Sequence, residues 1–343
     1  MIDAWYFCAR QGRRETLQPR WFQPRSLWGL YAELEGRALP LRVTLRAMAQ
    51  GRILAEQSWE LLEPETKTKT LEAGFAPEQG VLSLCAAAPA LDALPEELEV
   101  RVTSNGREER ALVVCEYARL HGSVTDFDGK PYPAAVKFYR HGFGSELGMG
   151  VWTGTDGRYE AMVPKGTYNA FYVCDQGYRK SVLENWCWHM LVDRDERHDF
   201  KIGTGEVYSL CVWPNNGGFS TLFCYFRPMV LSALRQEKYT ARINGRELKV
   251  VDIAPELELE HIRVTLGGRP LERISLQRIW ETGHENAMRG YVLQTRRSPG
   301  GTMPLGKQTL LVEYDAPMPG NGRASSQGRT QFYFHDAFGL AMR

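Results

Sequence analysis

The chain has 343 residues, 43% of them hydrophobic and 24% charged, a balance that fits a globular protein long enough for two or three domains. Lys and Arg total 42 against 41 Asp and Glu, so charge makes no case for nucleic acid or an anionic membrane as the main partner. No apolar run reaches the roughly 18–20 residues of a membrane span.

The start, MIDAWYFCAR, lacks the charged-then-apolar pattern of a secretory signal. Short runs then alternate at period two, which predicts strands near Ala4–Ala9, Leu27–Glu35, Arg42–Ala49, Ser58–Leu62, Val81–Ala86, Glu97–Thr103 and Ala111–Tyr117. The basic stretch from Ala9 to Arg20 reads as a solvated loop, and Trp21, Phe22 and Trp28 follow it. Helical periodicity is nearly missing; Ala90–Glu99 and Leu231–Tyr239 each have room for one short turn. Asn105-Gly106 and Asn244-Gly245 are hairpin signals, because both residue types accept the positive φ of a two-residue type I′ turn. Many short strands with such turns predict an all-β chain of consecutive β-sandwiches. We divide it at 1–116, 117–204 and 205–343, with short joints that favour a rigid row of domains.

The seven cysteines are Cys8, Cys85, Cys115, Cys174, Cys187, Cys211 and Cys224. None has C-x-x-C spacing and most lie in apolar strand-like runs, as buried free thiols do in a reducing compartment. The expected location is therefore cytoplasmic. Zinc-type ligand spacing is absent, so no metal or other cofactor is expected.

The middle stretch is the best punctuated. Gly122, Val124 and Asp126 lead into a turn from Asp128 to Pro131, and Ala134, Ala135 and Val136 resume a strand. Thr155, Asp156, Gly157 and Tyr159 follow, then Val163, Pro164, Gly166 and Tyr168. This pattern resembles the carboxypeptidase regulatory-like domain, a transthyretin-like (prealbumin-like) β-sandwich. The resemblance covers about a quarter of the chain and implies a fold rather than an activity. An EF-hand reading of the Asp126 turn fails, since its fifth and twelfth positions are Lys130 and Lys137. Intradiol dioxygenases look similar here but pair their tyrosines with a His-x-His that this chain lacks. Hydroxyisourate hydrolases share the fold, but their terminal Tyr-Arg-Gly-Ser meets only Tyr178-Arg179-Lys180-Ser181 here. The flanking stretches resemble immunoglobulin-like or fibronectin type III sandwiches in strand rhythm alone.

Four further stretches bear on function. In ENWCWHMLVDRDERHDF, period two puts Trp186 and Trp188 on one face and His189 on the other. Paired indoles stack on sugar rings or anchor a protein partner; their structural alternative is to cover a core or a joint. In RIWETGHENAMRGY, Glu281, His284, Glu285 and Arg289 gather in one loop, where a His flanked by carboxylates suits a general base. The Gly-rich connection Arg140–Gly150 has no phosphate-binding spacing, and Asn215-Asn216-Gly217-Gly218 reads as a structural turn. The preferred reading is a non-catalytic binding protein whose partner is a protein or a carbohydrate, with self-association possible, and with Trp186, Trp188 and His189 at the contact. The alternative is a hydrolase or enzyme subunit acting on sugars or peptides at a domain joint, using His284 and Glu285.

Overall fold

The computed structural model describes residues 2–10, 28–34, 40–61, 73–76, 81–87, 94–140, 149–214, 221–235, 238–296, 305–318 and 322–334. Residues 11–20, Trp21, Phe22, most of the stretch Arg140–Gly150, residues Asn215–Gly218 and the first residues of the Ala90–Glu99 run lie outside these. The chain is all-β. Among the described residues, helical structure is limited to the 3-10 turns Leu231–Arg235 and Leu259–His261. The first of these falls within the predicted turn at Leu231–Tyr239, while Glu97 opens a strand.

Five of the predicted strands form with small changes at their ends, as Ile2–Arg10, Trp28–Leu34, Leu41–Ala49, Val81–Ala87 and Glu97–Ser104, whereas the strand expected at Ser58–Leu62 starts six residues earlier as Arg52–Leu61, and the one expected at Ala111–Tyr117 runs Arg107–Val114, with Tyr117 opening the next strand. Both Asn-Gly pairs turn as their residue types require. Asn105 and Gly106 have φ of 47° and 81°, and Asn244 and Gly245 have 50° and 80°. Each joins neighbouring strands in register, Ser104 opposite Arg107 and Ile243 opposite Arg246.

The described residues sort into two compact units built from interleaved stretches. The first comprises Met1–Ser123, Ala135–Thr167 and Leu191–Asp199. One of its sheets runs Tyr117–Thr125, Arg158–Pro164, Ile2–Arg10, Trp28–Leu34, Val81–Ala87, Ala73–Ala76. Another runs Arg52–Leu61, Leu41–Ala49, Glu97–Ser104, Arg107–Val114. Between these sheets lies a core that includes Ala32, Leu84, Val43, Leu45, Leu98, Val100 and Val102. The alternation of Leu98, Val100 and Val102 with Glu99, Arg101 and Thr103 produces it directly: the first three are buried and the others half-buried.

The second unit comprises Val124–Ala134, Tyr168–Met190 and Phe200–Arg343. One of its sheets places Asn185–Val192 beside Gly322–Phe334, followed by Gly306–Met318 and Ile262–Leu266. The other is six-stranded. It runs Gly205–Pro214, Thr221–Val230, Asn286–Arg296, Arg246–Val250, Tyr239–Ile243, and Arg273–Thr282 pairs with Asn286–Arg296. Its inner side carries Leu222, Cys224, Phe226, Tyr291 and Leu293, all fully buried.

The Asp126 turn is built by the Asp126 side chain together with the backbone. Asp126 Oδ1 accepts the N–H groups of Asp128 at 3.0 Å and Lys130 at 2.8 Å, and Asp126 N–H donates to Lys130 O at 2.9 Å. This is the Asx-turn use of an aspartate.

Candidate functional site

The six-stranded sheet is buried on one side and partly open on the other, and the strand sequences dictate which residues face out. Along Thr221–Val230 the burial alternates: Leu222, Cys224 and Phe226 go inward, while Phe223, Tyr225 and Arg227 are half-buried on the outer side. Gly205–Pro214 pairs with this strand, setting Trp213 opposite Phe223 and Cys211 opposite Tyr225. A register shift between Tyr208 and Cys211, with Ser209 at φ 55°, then sets Tyr208 opposite Arg227. Without that bulge, residues three apart would face opposite sides.

At the open end, Trp213 is 42% exposed and stacks on Phe223, with ring centroids 5.8 Å apart and planes at 14°. Next along, the Tyr225 ring lies over Gly290: a Cβ at that position would sit 2.5 Å from Tyr225 Cε2. Tyr225 Oη donates to Glu281 Oε2, and Arg227 Nη1 donates to the same oxygen at 3.1 Å. Arg227 also lies 3.5 Å from Met288 Sδ, and its guanidinium carbon stands 4.8 Å over the Tyr208 ring. The arginine is thus held by a carboxylate, a thioether and an aromatic face at once, which fixes a side chain otherwise rich in rotamers.

At the other end the face closes. Trp186 and Trp188 share one side of their strand, as period two requires, but each is only 6% exposed. They stack on each other at 4.9 Å and 14°, Tyr172 stacks on Trp186 at 4.5 Å, and Tyr208 stands perpendicular to both indoles. The indole pair therefore forms a filled aromatic stack rather than an open platform. His189 points the other way. It is exposed, takes φ 53°, and has Nδ1 3.4 Å from Thr330 Oγ1.

Beneath this stack lies Glu206, 1% exposed, a residue the sequence reading passed over. Its carboxylate accepts the Glu184 N–H at 3.4 Å. Burial pushes its pKa well above the ordinary range and the nearby Glu184 charge adds to that, against smaller opposing effects of the Glu184 N–H, Trp186 and Arg227. Burial also raises the thiols: Cys211 upward, Cys187 to about 11 and Cys224 to about 12. None of these three is an activated nucleophile.

The loop residues that sequence spacing groups together do not converge. Glu281 holds Tyr225 and Arg227 on the outer face. Arg289 instead binds Asp252 and Glu256, and stands 5.9 Å over the Trp280 ring. His284 and Glu285 are exposed at the hairpin tip, where their backbone carbonyls accept from Arg246 and Lys249. In an antiparallel hairpin, Glu281 and Arg289 fall on opposite faces, because Glu281 is opposite Met288 while Arg289 is opposite Trp280. Among the described residues no group of three or more His, Cys, Asp or Glu is placed to hold a metal ion.

No protein-family model matches the chain, and no curated protein sequence matches it. Among solved structures it is similar to a DUF3823 family protein from Parabacteroides merdae. That similarity has 10% identity over 58% of this chain and 91% of the other, with a TM-score of 0.21. It is also similar to BcpA, the major pilin subunit of Bacillus cereus, at 11% identity over 63% of this chain and 69% of the other, TM-score 0.20. Two domains of the major pilin SpaD from Corynebacterium diphtheriae align at 9% identity over 59% of this chain and 98% of theirs, TM-score 0.20. TM-scores of this size do not establish a shared fold.

Proposed function

We propose that the chain is a non-catalytic, multi-domain β-sandwich protein that binds a protein partner through the outer face of its six-stranded sheet. The observation that carries this reading is the row Trp213–Phe223, Tyr225, Arg227 and Met288 on one half-open face whose reverse is core. Large rigid aromatics give most contact area for least lost side-chain freedom, and interface centres are enriched in them and in Met and Arg. Trp186 and Trp188 enter as the support behind Tyr208, while His189 is the one exposed residue of Asn185–Val192. A carbohydrate partner is the less favoured form of this reading. The faces a sugar would need on Trp186 and Trp188 are occupied by neighbouring rings.

The modules of this reading are 1–116, 117–204 and 205–343, the middle one transthyretin-like on its motif residues. Its location is cytoplasmic, which the thiols of Cys187, Cys211 and Cys224 support.

The test is a crosslinking pull-down and a glycan array, each run with the parent protein and with Trp213→Ala and Phe223→Ala. Loss of a captured protein by tenfold or more in either variant is expected, about 1.4 kcal/mol or more. Glycan binding that the same substitutions abolish would shift the reading to carbohydrate. Capture of either kind that is indifferent to both substitutions would sink it.

A further inference from the structure

The aromatic face and the buried acid Glu206 belong to one row of side chains. Before the bulge, Gly205–Pro214 sets Glu206 opposite Met229 and Tyr208 opposite Arg227. Residues two apart on a strand share a side, so Glu206 stands on the side of Tyr208 and Arg227, at the closed end of the face. Glu206 and Arg227 are therefore diagonal neighbours across the strand pair. Such neighbours are roughly 7–8 Å apart, within reach of a long side chain.

Arg227 stands between two carboxylates. Its Nη1 is spent on Glu281, whose side chain is 45% exposed, and on Met288 Sδ. Its Nε is buried and has no hydrogen-bond partner among the described residues. One charged donor is thus left unspent, which a native fold rarely does without a use for it. Among the described residues Glu206 is in no ion pair, and the cation that bears on it is Arg227. The other groups facing Glu206 cannot serve it. Glu184, from the stretch leading into Asn185–Val192, is a second carboxylate, and Tyr178 in the preceding turn is a phenol that feels the charge of both acids. Tyr314, from Gly306–Met318, accepts the Glu206 N–H at 3.1 Å and donates its own proton to Met229 O at 2.7 Å. Tyr208 carries Arg227 over its ring and feels the charges of Arg227, Glu206, Glu184 and Glu281 together.

We infer that Arg227 has two positions: it holds Glu281 while Glu206 keeps its proton, and turns its guanidinium to Glu206 when that proton passes to water. A buried carboxylate without a cation is strongly unfavourable, whereas an exposed one such as Glu281 is served by water and gives up its arginine at little cost. Tyr208, held edge-on against Trp186 and Trp188, is the fixed surface on which the guanidinium moves. The movement draws positive charge off the face, opens the contact with Met288 and leaves Glu281 as an unpaired anion beside Tyr225. The consequence for binding rests on the proposed function of this face. The partner meets the arrangement with Arg227 on Glu281, which is built in advance of binding. Affinity is then full while Glu206 is protonated and falls as its proton is lost at higher pH. Partner and proton are linked through one two-state side chain.

The test reads Arg227 directly. In 15N-labelled protein its Nε–H signal is assigned by its absence from Arg227→Lys and followed from about pH 5 to about pH 8. The signal is expected to titrate in the parent and to stay flat in Glu206→Gln. Glu281→Gln removes the competing carboxylate at an exposed position, which keeps a folded variant in hand, and is expected to lower the midpoint. A signal that does not titrate, that titrates alike in Glu206→Gln, or whose midpoint Glu281→Gln leaves in place would overturn the inference. The crosslinking pull-down is then run at both ends of the range. Captured protein is expected to fall by about 5- to 150-fold toward the higher pH in the parent and to stay level in Glu206→Gln. Equal capture by the parent at both ends would break the link between the acid and the face. Capture at neither end counts against the proposed function alone, since the Arg227 signal is read without a partner.

Discussion

A carboxylic acid at Glu206's depth has to find a cation or keep its proton, and the strongest influences on Glu206 are burial and the Glu184 carboxylate. Both favour the neutral acid, so its pKa is higher in the folded chain than in the unfolded one. The stabilisation this gives is complete below the unfolded value of about 4.3 and is lost as pH rises through the folded value. Glu206→Gln keeps the shape and removes the titration. In urea titrations the variant is expected to gain on the parent as pH rises from about 5 to 8, by about 1.4 kcal/mol for each pKa unit of the native shift. A difference between the two proteins that does not change with pH would rule this account out. Gly290 makes a steric prediction. A Cβ there meets Tyr225 at 2.5 Å, so Gly290→Ala has to lift the ring from its place beside Glu281. A loss of about 1–3 kcal/mol is expected on thermal or chemical unfolding, with weaker partner capture alongside it. Some of this scale is legible in sequence. The period-two facing of Trp186 and Trp188 and the Asx turn at Asp126 both follow from local spacing. The burial of the indoles does not, because Tyr172 and Tyr208 reach them from other strands.

At the scale of single elements, strand positions and hairpin turns could be read directly, since alternation and turn chemistry are both local. Asn244-Gly245 shows how far that goes. Gly245 takes φ 80°, and nothing lies within 4 Å of a Cβ added there. The cost of Gly245→Ala is therefore backbone strain alone, about 1 kcal/mol. Thermal unfolding is expected to register that loss, while Gly245→Asn, which tolerates positive φ, stays closer to the parent. Equal destabilisation by Ala and Asn would mean that something other than φ is at work. The bulge at Ser209 was not legible. Its sequence, VYSLC, has no glycine or asparagine to mark a positive φ, and only pairing with Thr221–Val230 shows that Tyr208 and Cys211 share a face. The aromatic face depends on that bulge.

For the whole molecule, what the sequence withheld was which strands pair. The motif residues of 117–204 read as one module, yet its strands are distributed over both compact units. Arg158–Pro164 pairs with Ile2–Arg10 through Cys8–Met162 and its neighbours, and Asn185–Val192 pairs in parallel with Gly322–Phe334 through Cys187–Arg329. Alternation fixes which side of a strand is apolar but carries no record of a partner more than a hundred residues away. These pairings have a consequence for the module as an isolated piece. Expressed alone, residues 117–204 would leave Arg158–Pro164 and Asn185–Val192 each with an open edge, among side chains such as Ala161, Val163, Trp186 and Trp188 that are buried in the full chain. Unpaired apolar edges of this kind drive association rather than folding. The fragment is expected to be aggregation-prone, with a poorly dispersed amide spectrum, whereas the full chain gives a dispersed one. A monomeric, well-dispersed 117–204 would mean that its own core suffices and that the two long-range pairings are not needed for its fold.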